Sequence, residues 1–218
     1  MRARIPPPAR SRCLCPGAAL LGALALLLVL AACSRQAPRL EPVGPDGVIV
    51  AFGDSLTRGT GAGPGQSYPA VLEGLIGRTV VNAGVPGETT AGGLRRLPRV
   101  LAEHRPALVI LCEGGNDFLR GVDRAEVARN LGAMLDAVRA AGAQAVLLAV
   151  PRPGLLVPVP DLFEDLAADR GVPCDTDTLR EVLTSPGLKS DPIHPNAAGY
   201  RRIAEALARL LRTAGAVP

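Results

Sequence analysis

From residue 48 onward the chain repeats one pattern. A short unbroken apolar run is followed by a longer stretch in which apolar positions return every three or four residues. The runs lie at residues 48–52, 79–82, 108–112 and 145–150, with a shorter one at 172–174. None shows the alternation of a half-exposed strand. Continuous apolarity is what parallel strands need when helices cover both faces of their sheet. Between the runs, residues 124–141 set Val127, Leu131, Met134, Leu135 and Val138 on one helical stripe. Residues 197–212 do the same with Ile203, Leu207, Leu210 and Leu211, behind Asn196 as a cap. Further helices are expected at about 68–76 and 89–103, the second broken by Pro98. Strands alternating with helices predict an α/β fold: a three-layer α/β/α sandwich around a parallel sheet of about five strands. Such sheets bind ligands outside the carboxyl ends of their strands.

The N-terminus follows a different pattern. Arg2, Arg4, Arg10 and Arg12, with no acid among them, precede the apolar run GAALLGALALLLVLAA at residues 17–32. A basic stretch before an apolar one is the layout of a secretory signal. The run is short for a bilayer span, which needs about 20 apolar residues; an uncleaved anchor is the alternative. Leu30-Ala31-Ala32-Cys33 resembles the lipobox of bacterial lipoproteins, where cleavage precedes a cysteine that is then lipidated. That resemblance implies lipidation at Cys33, and Ser34 after it implies outward sorting. The polar, proline-rich residues 34–46 read as a tether. The expected organisation is a signal peptide at 1–32, lipid anchor and flexible tether at 33–46, and one catalytic domain at 47–218. This implies a cell-envelope protein, membrane-anchored and facing the periplasm or exterior.

Processing changes the charge. The whole chain carries 24 basic and 20 acidic residues. Loss of the four signal arginines leaves 20 basic residues, equal to the acids. A neutral body with only five aromatic residues lacks the basic face and stacking platforms of a nucleic-acid binder. Of five cysteines, only Cys112 and Cys174 fall in the body and outside the anchor. With no CxxC pair or Cys/His cluster, neither zinc nor a disulfide is expected.

Four loops at one sheet edge carry the candidate chemistry. Ser55 follows the first strand in VIVAFGDSLTRG, NAGVPGETT (82–90) follows the second, EGGNDF (113–118) the third, and DPIHPN (191–196) precedes the last helix. A serine that transfers an acyl group needs a base, and the chain has two histidines. His104, between Glu103 and Arg105 at a helix end, suits a solvated histidine favoured by the helix dipole. His194 lies between prolines, three residues after Asp191, and fits a Ser-His-Asp relay in which the carboxylate fixes the imidazole tautomer. A turn cap is the plainer reading of Asp191.

With those residues in place, the sequence resembles the GDSL or SGNH hydrolase family over about residues 48–211. Phe52-Gly53-Asp54-Ser55-Leu56, the Asn82 to Thr89 block, Gly114-Gly115-Asn116-Asp117 and Asp191-Pro192-Ile193-His194-Pro195 match its four blocks in order. Together with residues 95–106, they are most similar to its bacterial lysophospholipase and thioesterase (arylesterase-like) branch. The resemblance implies a flavodoxin-like sandwich and hydrolysis of carboxylic esters of lipid-like or small acyl substrates, without cofactor or metal. It implies Ser55, Asp191 and His194 as catalytic residues. The oxyanion donors it implies are the Ser55 and Gly87 N–H groups and the Asn116 amide. Asp54 and Asp117 read as loop braces, and Gly84 as a plain turn glycine. Candidate pocket residues are Phe118 and Leu119, in a loop resembling a mobile substrate segment, and Leu155 and Leu156 in PRPGLLVPVP (151–160), with Val157 and Val159 beside them. The expected protein is a monomer whose partners are an ester substrate and the membrane. A carbohydrate or cell-wall O-deacetylase on the same machinery, and a catalytically idle binding lipoprotein, are the rival readings.

Overall fold

Five parallel strands form one sheet, and its central strands, the first and third in the chain, are unbroken apolar runs. The computed structural model describes residues 38–154 and 157–218. Strand β1 (Ile49–Gly53) leads into a single helical turn, α1 (Ser55–Arg58), followed by α2 (Tyr68–Ile76) and β2 (Val80–Gly84). Next come α3 (Thr90–His104), β3 (Leu108–Cys112), α4 (Gly115–Leu119), α5 (Arg124–Ala140) and β4 (Gln144–Leu148). The chain closes with α6 (Leu162–Arg170), β5 (Cys174–Asp175), α7 (Thr178–Thr184), a 3-10 turn (Pro186–Leu188) and α8 (Ala197–Ala214). The strand order is β2-β1-β3-β4-β5, all neighbours parallel. Direction reverses between β1 and β3, which makes their carboxyl ends the topological switch point.

Every residue of β1 and β3 is buried, as expected for central strands covered on both faces. Helix α2 packs on α8 and α8 on α7, while α3 packs on α5 and α5 on α6. The stripes read from the sequence supply the contacts: Val127, Leu131, Met134, Leu135 and Val138 from α5, and Ile203, Leu207 and Leu211 from α8, are all buried. Truncating a fully buried leucine such as Leu207 to alanine would cost about 2–5 kcal/mol.

Two expectations change. Helix α3 runs through Pro98 without a break. Pro98 is on the exposed side, where water can serve the carbonyl left without an N–H donor, while Leu97, Val100 and Leu101 are held in the core. Residues 38–46, expected as part of a flexible tether, lie against the body. Val43 is buried, and the Leu40 and Val43 N–H groups donate to the Ala214 and Ala216 carbonyls, each at 2.8 Å. The expected signal and lipobox, including Cys33, lie outside the described residues. Cys112 and Cys174 are both free, with β4 between their strands.

Candidate active site

Glycines bring β1 and α1 unusually close to their neighbours. A methyl group on Gly53 would meet the Cys112 carbonyl and the Thr57 hydroxyl. One on Gly84, the last residue of β2, would meet the Arg58 backbone and the Asp54 carbonyl. Gly84 is therefore a close-approach glycine and not a plain turn residue. At this corner Asp54 caps α1, its Oδ1 accepting from the Leu56 N–H at 2.9 Å. Ser55 becomes the first residue of the helical turn and stands at the switch point.

The loop before α8 delivers the base. Lys189 and Pro195 pair as an antiparallel bridge, and the Ser190 N–H donates to the His194 carbonyl at 2.9 Å. Within that closed loop, Asp191 Oδ1 accepts from the Ile193 and His194 N–H groups, both at 2.8 Å. Asp191 Oδ2 lies 2.7 Å from His194 Nδ1, and His194 Nε2 lies 3.0 Å from Ser55 Oγ. An ionised Asp191 can only accept, so it selects the Nδ1–H tautomer and leaves Nε2 to accept from the serine hydroxyl. Desolvation acts to raise the Asp191 carboxyl, but the Ile193 N–H, the His194 ring and the His194 N–H outweigh it and hold it below its ordinary value. Asp191 is at once the cap and the partner of the histidine.

Facing this relay are three groups capable of donating to a developing oxyanion. Among the described residues, neither the Ser55 nor the Gly87 N–H has a protein acceptor. Gly87 has a φ of +78°, a conformation that favours glycine, and nothing lies within 4 Å of where its side chain would be. The Arg120 guanidinium donates to the Gly87 carbonyl at 3.0 Å. Asn116, on α4, spends one amide hydrogen on Asp54 Oδ2 at 2.9 Å and keeps the second available. Burial lifts the Asp54 carboxyl from 3.8 to about 6, with Asp117 adding to the rise and Leu56, His194 and Asn116 opposing it. Asp117 braces the same region, accepting from the Thr90 N–H and hydroxyl at 2.8 and 2.6 Å.

A cavity of about 270 Å³ opens beside Ser55, His194, Gly87 and Asn116. Its apolar wall includes Leu119, Val150, Pro151, Val157, Leu183 and Ile193. Leu119 and Val157 are where the sequence predicts pocket residues. Phe118 is not: its ring packs edge-on against Phe163, centroids 6.4 Å apart, because its place on α4 turns it to the core. Leu155 and Leu156 lie outside the described residues. Sequence reasoning missed Val150, Leu183 and Ile193, whose apolar character is indistinguishable from that of core residues. His104 ends α3, with Nε2 3.9 Å from Glu103. Among the described residues, no group of three or more His, Cys, Asp or Glu side chains is disposed to hold a metal ion.

A Ser-His-Asp relay at the carboxyl edge of a 2-1-3-4-5 parallel sheet is the architecture of a serine hydrolase. The chain belongs to the GDSL-like lipase/acylhydrolase family, whose model matches residues 51–202. It is 33% identical over 197 residues to the esterase TesA of Pseudomonas aeruginosa, covering 85% of this chain and 92% of that protein. With thioesterase 1/protease 1/lysophospholipase L1 of Escherichia coli it shares 31% identity over 172 residues, 75% of this chain and 83% of that one. A crystal structure of TesA superimposes with a TM-score of 0.69 at 31% identity, covering 77% of this chain and 99% of that one.

Proposed function

We propose that this chain hydrolyses carboxylic esters of lipid-like or small acyl substrates through an acyl-enzyme on Ser55. The observation that carries the reading is the continuous relay from Asp191 to His194 to Ser55, at 2.7 and 3.0 Å, at the mouth of an apolar cavity. Ser55 Oγ attacks the ester carbonyl carbon as its proton passes to His194 Nε2. Asp191 stabilises the imidazolium. The tetrahedral oxyanion sits among the Ser55 N–H, the Gly87 N–H and the free hydrogen of the Asn116 amide. Collapse expels the alkoxide, which takes the proton from His194, and leaves the acyl group on Ser55. Water, deprotonated by the same histidine, then attacks the acyl-enzyme carbonyl; collapse expels Ser55 Oγ, which takes the proton back from His194, and the carboxylic acid departs.

The cavity is slightly smaller than most ligand pockets, and its wall favours an acyl chain over a sugar. A panel of p-nitrophenyl esters of graded chain length tests this reading. The highest kcat/KM should fall on short to medium chains. Preference for acetylated glycans over all of these would instead support the deacetylase reading, and inactivity on every ester the binding lipoprotein.

The Leu30 to Cys33 segment supports anchoring of this enzyme to a membrane of the cell envelope, facing the periplasm or exterior. Intact-mass measurement of membrane-extracted protein should find Cys33 as the lipidated first residue, and Cys33→Ser should release or block processing of the body. An unmodified Cys33 in the membrane fraction would remove the anchor.

A further inference from the structure

Glu113 is a buried acid that the acyl-transfer steps above leave unused. It follows β3 directly and stands three residues before Asn116. It is fully buried, and neither carboxyl oxygen has a hydrogen-bond donor among the described residues. Room for it is made at Gly93 of α3: a methyl group there would lie 3.1 Å from Glu113 Oε1, from Met134 Cε and from Phe52 Cε1. A carboxylate in such a place is strongly disfavoured unless donors reach it. The charged and titratable groups around it sharpen the problem. Glu88, in the loop after β2, comes to the same stretch of α3: a methyl group on Gly92 would lie 3.2 Å from Glu88 Cγ and 3.7 Å from its Oε1, one residue before the Gly93 position that meets Glu113. The charges of Asp54 at the start of α1, Glu88 and Asp117 on α4 all disfavour ionisation of Glu113, and the Cys112 thiol on β3 is raised by Glu113 in turn. Arg96 of α3 is spent on Glu88, with Nε 3.0 Å from both carboxyl oxygens, and stacks on Phe52 at 4.0 Å.

We propose that Glu113 is a positioning residue for the oxyanion hole, its carboxyl hydrogen shared with the Glu88 carboxylate across the gap between the loops carrying Gly87 and Asn116. Glu88 is adjacent to Gly87 and fixed by Arg96. Glu113 hangs from the segment that leads into Asn116. A hydrogen held between them ties the two donor loops at their base, on the side away from the substrate. Burial first, then the Asp54 and Glu88 carboxylates, push the Glu113 carboxyl up to about 10, so the hydrogen is present throughout the neutral range. Loss of that hydrogen places two negative carboxylates face to face and drives the loops apart. Electrostatic preorganisation depends on the donors staying fixed as the oxyanion forms, so the effect belongs to kcat.

The inference rests on Gly87 and Asn116 being the oxyanion donors, and its test keeps the two claims apart. Steady-state kinetics from about pH 6 to about pH 10.5 are measured on wild type, Glu113→Gln, Glu113→Leu and Asn116→Ala, with thermal unfolding alongside. Wild-type kcat should decline as Glu113 ionises near pH 10. Glu113→Gln keeps a donor toward Glu88 and cannot ionise, so it should retain most of kcat and lack that decline. Glu113→Leu should melt close to wild type, because the relief of burying a carboxyl offsets the hydrogen bond lost to Glu88. Its kcat should nevertheless fall roughly tenfold, the scale of a lost hydrogen bond to a charged group, with KM little changed. Wild-type kcat in Glu113→Leu, or an unchanged alkaline decline in Glu113→Gln, overturns the positioning role while a damaged Asn116→Ala upholds the donors. Near-normal kcat in Asn116→Ala overturns both.

Discussion

Asn116 donates its side-chain amide to Asp54 Oδ2 at 2.9 Å, joining the loop after β3 to the residue just before Ser55. One amide hydrogen is thereby fixed and the other is aimed by the rigid plane of the amide. Asp54 is the orienting partner of an oxyanion donor, in the way that Asp191 orients the base.

Asp54→Asn should therefore damage catalysis without emptying the pocket. It presents an amide where Asn116 needs an acceptor, and kcat should fall about 10- to 100-fold, with KM nearly constant. The same variant changes stability in a direction set by the raised carboxyl. The folded protein binds a proton near pH 6 that the unfolded chain binds only near 3.8. Stability from this group thus rises as pH falls through that window, and the ionised form costs stability above it. The melting temperature of Asp54→Asn relative to wild type should be more favourable at about pH 8 than at about pH 4. A difference independent of pH would show that Asp54 titrates as an ordinary acid.

Asn116→Ala removes the donor itself. Loss of one such donor should lower kcat about 10²- to 10³-fold, with little change in KM. Asn116→Asp keeps the shape but sets an acceptor against the developing charge and against Asp54, and should be at least as damaging. Kinetics corrected for the folded fraction by thermal unfolding separate this from a bracing role, in which the folded enzyme keeps normal kcat.

Asp191→Asn tests the relay. The amide leaves the histidine without its carboxylate, and kcat should drop by as much as about 10⁴-fold, the loss seen when the wrong tautomer is imposed on a Ser-His-Asp relay. Because the folded protein holds this carboxyl below its ordinary value, Asp191 contributes stability above the unfolded pKa that is lost as pH falls through the folded one. The variant should therefore lack part of the wild-type acid destabilisation, read as melting temperature against pH.

Gly84→Ala should distort the nucleophile corner, since its methyl group meets the Arg58 backbone and the Asp54 carbonyl. Overpacking of this kind costs about 1–3 kcal/mol, and the displaced α1 should lower kcat as well. Gly74→Ala is the contrast: nothing lies within 4 Å on the exposed face of α2, and the change should stabilise by about 0.5–1 kcal/mol. Paired denaturation curves check both signs.

The strands were legible because the apolar runs at 48–52 and 108–112 need no partner information to be recognised as buried. The same holds for Ser55, Asp191 and His194, whose spacing carries their chemistry. Relationships between distant segments were not legible. Nothing in the sequence shows that Asp54 meets Asn116, 62 positions away, or that Glu88 and Glu113 come to adjacent glycines of α3. Pro98 misled because propensity is local, whereas the burial of Leu97, Val100 and Leu101 that holds α3 together is tertiary. Residues 38–46 read as tether because composition hides one apolar anchor, Val43, among polar and proline residues. The cavity wall was the least legible part: Val150, Leu183 and Ile193 differ from core residues only by where the chain leaves an opening.

Covalent labelling of Ser55 tests the central claim most directly. A fluorophosphonate applied to the folded protein should attach once, on the peptide containing Ser55, as read by mass spectrometry. Prior occupation of the cavity by a slowly hydrolysed ester should slow the labelling, and Ser55→Ala should abolish both the label and ester hydrolysis. Labelling at another residue, or undiminished hydrolysis by Ser55→Ala, would contradict the acyl-enzyme account.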